Sequence, residues 1–216
     1  MMQPEDNTVN INRTQPSAEP KKYHHGDLAD ELVTTGMQLL EAQNTGTLGL
    51  REVARAIGVS PTAVYRHFPD KTALLRAIAA RGFIMMAQMQ SQAAAQATGP
   101  AAFAAVGAAY VSFALAHPAV FRLMFAQAPP RDLFTIPITE LPGPMQLLRG
   151  HVTSLAGPEA SDATRKLIAI RAWALVHGLA VLALDGMIPA DNALIEAVIS
   201  GSLERDALTL PVTGAK

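Results

Sequence analysis

The chain has 216 residues, half of them hydrophobic, and a formal net charge of −1. That suits one large or two small domains with a sizeable core. Cysteine is absent, which excludes a disulfide framework, a thiolate zinc site and a cysteine nucleophile.

The charge is unevenly spread: −2 over residues 1–20, +2 over 21–81 and −1 over 82–216. A local excess of +2 is a weak nucleic-acid signal, so placement matters more. The opening MMQPEDNTVNINRTQPSAEP is polar and lacks the apolar stretch of a targeting signal. A disordered tail is expected over residues 1–20.

Apolar residues then recur at helical spacing, and no β-alternation is sustained. A first helix is predicted from about Asp27 to Gln43, with Leu28, Leu32, Leu39 and Leu40 on or near one face. A second spans about Leu50 to Ile57, with Gly49 as N-cap and Glu52 placed to reach back to the cap amide. A third, about two turns long, lies in GVSPTAVYRHFPDK, with Ser60 as cap and Pro61 where a missing N–H costs nothing. Asp70 caps a fourth helix carrying Leu74, Leu75, Ile78 and Phe83. No charged residue occurs from Gly82 to Phe121. Its Ala and Gln content, with breaks at Gly99-Pro100 and His117-Pro118, predicts buried helices rather than a membrane span. Further helices are predicted over residues 101–116, 118–126, 142–155, 161–185 and 191–208, with a Pro-rich connection before 142.

Ala54, Gly58 and Val64 carry the first motif. Two short helices crossing steeply need a small residue at the contact, a turn residue tolerant of positive φ and an apolar anchor. Val53, Ile57, Val59 and Phe68 complete a small core. An ordinary helical hairpin has the same spacing, but the flanking side chains favour a helix-turn-helix that enters a DNA groove. Arg66 can donate twice to guanine, and Thr62 and Ala63 can meet a thymine methyl or a phosphate. Tyr65, His67 and Lys71 suit phosphate oxygens, and Arg51 the opposite groove wall.

YHHGDL and LREVARAIGVSPTAVYRHFPDKTALL resemble the N-terminal domain of the tetracycline-repressor (TetR) family over residues 23–83. The resemblance implies a homodimeric transcriptional regulator, usually a repressor, that binds a palindromic operator and is released by a small molecule. It places Arg51, Ser60, Pro61, Thr62, Ala63, Tyr65, Arg66, His67 and Lys71 at DNA-contacting positions. Gly49 departs from the Ser or Thr common there.

RAWALVHGLAVLAL, with Trp173, His177 and Gly178, and YVSFALAHPAVFRLMF resemble the C-terminal domain of a Trp-His-Gly subgroup of that family. His177 reads as a ligand sensor or, preferably, as a core histidine bonded to a carbonyl. A metal site from His117, His151 and His177 has no supporting ligand spacing. Met85, Met89, Phe103, Tyr110, Phe113, Phe121, Met124 and Phe125 are mostly core, some of them candidates with Trp173 and His177 for an apolar ligand cavity. The last two long helices carry Leu175, Leu179, Leu182, Leu194, Val198 and Leu203, more than one face needs. The resemblance implies that this pair forms a four-helix dimer interface.

The expectation is an all-α protein: a tail over 1–20, a helix-turn-helix domain over 21–70 and a helical ligand-binding and dimerisation domain over 71–210. It is expected to be cytoplasmic and non-enzymatic, with no cofactor, no metal and no membrane partner. Its expected partners are operator DNA, a small effector and a second copy. A constitutive helix-turn-helix adaptor and an enzyme using the C-terminal cavity are the alternative readings.

Overall fold

In the computed structural model, the described residues are 25–43, 48–129 and 132–206, with side chains described over 28–43, 48–129 and 132–202. The predicted tail over 1–20 lies outside them. Nine α-helices and one 3₁₀ turn, with no strand, make up these residues: α1 (His25–Gln43), α2 (Leu50–Ile57), α3 (Pro61–Tyr65), α4 (Lys71–Ala94), α5 (Gly99–Ala116), α6 (Pro118–Ala126), the 3₁₀ turn (Ile138–Glu140), α7 (Gly143–Ala156), α8 (Asp162–Leu184) and α9 (Asn192–Asp206).

The head is α1 to α3. α2 ends where Gly58 adopts φ +78°, a left-handed conformation that a β-carbon would strain. Val59 N–H reaches back to Ala54 O at 3.0 Å and Gly58 N–H to Arg55 O at 3.2 Å, the paired bonds that close a helix C-terminus. At its other end, Glu52 Oε2 accepts from Gly49 N–H at 3.4 Å. Gly49 has no side chain to return the bond, so only half of a capping box forms. The Ser60 hydroxyl accepts from Ala63 N–H at 3.2 Å and starts α3.

α3 is shorter than the two turns predicted. It holds five residues, and Arg66 is already its C-terminal flank. His67 and Phe68 N–H both return to Val64 O, closing a turn instead of extending a helix. Packing holds so short a helix in place. Val64 and Val53 are fully buried and Ala54 nearly so, while Ile57, Val59 and Phe68 lie half-buried against them.

Asp70 Oδ1 accepts from Ala73 N–H at 2.8 Å and caps α4. With 24 residues, α4 spans about 36 Å. Its first turns belong to the head core, since Leu74 and Ile78 are buried with Leu28, Leu32 and Leu40. Its later turns belong to the body, where α5 is the central helix against α4, α7, α8 and α9. α5 and α8 are each long and apolar enough to cross a membrane. α5 is a core helix, with Val111, Phe113 and Ala114 sealed from solvent.

α6 lies directly on α4. A β-carbon on Gly82 of α4 would stand 2.8 Å from Val120 Cγ1 and 2.6 Å from Met124 Sδ of α6. A second tie reaches α6 from the head. The Glu41 carboxylate of α1 accepts from Ala119 N–H at 3.1 Å and Val120 N–H at 2.9 Å. Those amides open α6, where His117 supplies no side-chain cap and Pro118 no donor. Glu41 therefore caps a helix 78 residues away.

The Pro-rich connection before α7 is ordered by Arg149, which donates to Ile136 O at 2.7 Å. Leu133, Phe134 and Ile136 pack on a second apolar cluster built from α7, Phe103 and Ala169. Trp173 touches both clusters.

Candidate nucleic-acid interface and ligand cavity

The head presents one polar surface around α3. Arg51, Ser60, Pro61, Thr62, Tyr65, Arg66 and Lys71 are exposed, Tyr65 at 48 % despite its ring. Burial of Val64 fixes this outcome, because it turns Thr62, Tyr65 and Arg66 outward on a 3.6-residue period. Two candidates differ from the sequence reading. Ala63 is half-buried against the head core and serves packing as much as any groove contact. His67 is also half-buried, because the turn after α3 draws it inward. The Ser60 hydroxyl oxygen already caps α3, which leaves its proton to donate.

The second feature is a cavity of about 960 Å³ walled by α4 to α9 and the connection before α7. That is the upper end of the range for drug-sized ligand sites. Phe103, Tyr110, Met124, Phe125 and Trp173 line it as candidates. Met85, Met89, Phe113, Phe121 and His177 are not part of the wall, which corrects their candidacy. Met85 and Met89 precede Met86 and Gln90 by one residue, so a turn of about 100° faces the latter pair inward instead. Phe113 and Phe121 are sealed in the core, Phe121 edge-on to Tyr110 at 5.7 Å.

His177 stands one turn beyond Trp173, with ring centroids 6.3 Å apart, and sits behind the wall. Its ring meets Phe125 at 4.7 Å and Phe121 at 5.6 Å. Its partner is the Tyr110 hydroxyl, 2.8 Å from Nδ1, and not the carbonyl expected. Burial lowers the His177 pKa below its ordinary 6.5 and favours the neutral ring. Burial also raises that of Tyr110, opposed by a hydrogen bond from Trp173, so the phenol is neutral. His117 and His151 lie against other rings, Phe113 at 5.0 Å and Phe103 at 5.9 Å.

Sequence reading missed Phe83, Met86, Gln90 and Val106, and Leu133, Met145 and Leu148 from the far side. Phe83, Met86 and Gln90 fall at helical spacing on α4, a stripe visible in the sequence once its phase is known.

Two family models match this chain. Bacterial regulatory proteins of the tetR family match residues 32–78, over the head. The tetracyclin repressor-like C-terminal domain matches residues 103–201, over the cavity helices. The chain belongs to the TetR family. The fold also appears in solved structures. A protein of unknown function from Rhodococcus sp. RHA1 is 35 % identical, with a TM-score of 0.69 over 86 % of this chain and 97 % of that one. A TetR transcriptional regulator from the same organism is 19 % identical, with a TM-score of 0.53 over 81 % and 92 %. TetR from Acinetobacter baumannii AYE is 14 % identical, with a TM-score of 0.54 over 85 % and 98 %. The last two show the fold alone. Membership makes this chain a DNA-binding transcriptional regulator, in a family whose members are generally non-enzymatic, dimerise and respond to small molecules.

Leu167, Ile170 and Leu182 of α8 and Leu194 and Val198 of α9 are each more than a third exposed. Nothing lies within 4 Å of a β-carbon built on Gly178, so that glycine opens outward between them. Of the residues predicted for an interface, Leu179 is buried in this chain's own core, and the Leu203 side chain lies outside those described.

Proposed function

We propose that the chain is a homodimeric repressor that reads a palindromic operator and leaves it when a small apolar molecule fills the cavity. The observation that carries this is shared structure: α4 is both head core, at Leu74 and Ile78, and cavity wall, at Phe83, Met86 and Gln90. An occupant that displaces α4 displaces the head with it. Arg66 and Thr62 are the proposed base readers, and Arg51, Ser60, Tyr65, His67 and Lys71 the proposed backbone contacts. Pro61 and Ala63 shape the tip of α3.

The outward apolar stripe of α8 and α9 supports pairing with a second copy, since contiguous apolar surface marks an interaction site. Two heads must then meet successive major grooves about 34–36 Å apart. A shift of a few ångströms in α4 spoils that register. Ligand and operator thus favour different states of one dimer.

Selection of bound sequences from random DNA tests the reader. Two inverted half-sites, centred about 10–10.5 base pairs apart or a multiple of that, are expected. A single asymmetric site, or no enrichment, would count against a dimeric reader.

A further inference from the structure

Gln90 stands on the cavity wall and is 3 % exposed. Its Nε2 donates to Val106 O on α5 at 3.2 Å. That bond fixes the amide, because the reversed amide would set two carbonyl oxygens against each other. Oε1 is left buried with no hydrogen-bond partner. A buried carbonyl in that condition gains from any donor brought to it.

Among the described residues, no other side chain on the wall has a buried polar atom in that condition. The Tyr110 hydroxyl is engaged by His177 and Trp173. The Ser202 hydroxyl donates to Ile199 O at 2.7 Å. Among the described residues no carboxylate lines the cavity, and Arg76, the one charged group they place on its wall, is exposed. From these residues a buried cation would meet no counter-charge, and the one cation an anion could meet, Arg76, stands in solvent.

We infer that the ligand of this cavity is an uncharged, largely apolar molecule carrying a hydroxyl or N–H that donates to Gln90 Oε1. The inference rests on the reading of this cavity as the effector site. Oε1 is sealed in the present state, so the Gln90 amide must turn toward the cavity, on whose wall it stands, before a donor meets it.

Trp173 is the chain's single tryptophan and lines the cavity, so its emission reports occupancy. The probes are cyclododecanol and its methyl ether, titrated into the full chain and into Gln90→Met. The alcohol should bind wild type about tenfold tighter than the ether, the worth of one hydrogen bond to a buried acceptor. Gln90→Met should bind both alike. Equal binding of the two by wild type overturns the inference, and needs no variant to show it. A preference that survives in Gln90→Met also overturns it, because the donor then pairs elsewhere. Unchanged Trp173 emission with both compounds removes the effector-site reading itself, and this inference with it.

Discussion

Replacing Gly82 by alanine places a methyl group between α4 and α6. The new carbon would lie 2.8 Å from Val120 Cγ1 and 2.6 Å from Met124 Sδ. Methionine can swing its sulfur aside. Val120 is held to one rotamer in a helix, so relief there requires α6 to move. Overpacking of this kind costs about 1–3 kcal/mol, against about 0.8–1.0 kcal/mol gained by alanine over glycine in a helix. A net loss of up to about 2 kcal/mol is expected, a fall in Tm of up to roughly 8 °C for a chain of this size. Gly150 of α7 is the control, because nothing lies within 4 Å of its β-carbon. Gly150→Ala should collect the helix gain alone and raise Tm by about 2–4 °C. Thermal unfolding by circular dichroism, at one protein concentration because dimer melting depends on it, compares the two. Val120→Ala should rescue Gly82→Ala. If Gly82→Ala instead stabilises as much as Gly150→Ala, the close seating of α6 on α4 is wrong.

Glu41→Ala should lower stability by about 1–2 kcal/mol in urea melts, because it strips a charged cap from two helix-opening amides. Arg66→Ala should lose about 1–3 kcal/mol of discrimination at one or two operator positions in competition binding. Lys71→Ala should instead weaken all sequences alike and reduce the salt slope by about one. The pH dependence of His177 has a definite sign. Its folded pKa is depressed by burial, so the unfolded chain takes up a proton first as pH falls through 6.5. Its contribution to stability is full above that pH and declines below it, until the folded pKa is passed. The difference in urea midpoint between wild type and His177→Gln should therefore shrink on acidification from pH 7.5 to 5.5. A difference independent of pH would mean that the ring titrates alike in both states.

The helix-turn-helix was legible because its determinants are local. Ser60, Asp70, Gly58 and Val64 each act within a few residues of themselves, through caps, a left-handed turn and one buried anchor. The length of α3 was not legible, since the turn after Tyr65 depends on packing of Phe68. The cavity wall was half legible. Met85 and Met89 suit the wall as well by sequence as Met86 and Gln90, which face inward, because the stretch from Gly82 to Phe121 has no charged residue to mark an outer face. Leu133 comes from a connection whose composition says loop, and tertiary folding alone brings it and Met145 of α7 to the wall. Glu41 was invisible for the same reason, its amide partners lying on a helix 78 residues on.

The decisive measurement is coupling in both directions, with the selected palindrome as operator and cyclododecanol as the cavity probe. The alcohol should weaken operator binding in fluorescence anisotropy, and the operator should weaken alcohol binding, read from Trp173, by the same factor. Cavity occupancy that leaves operator affinity unchanged would contradict a ligand-released repressor and leave a constitutive DNA reader in its place.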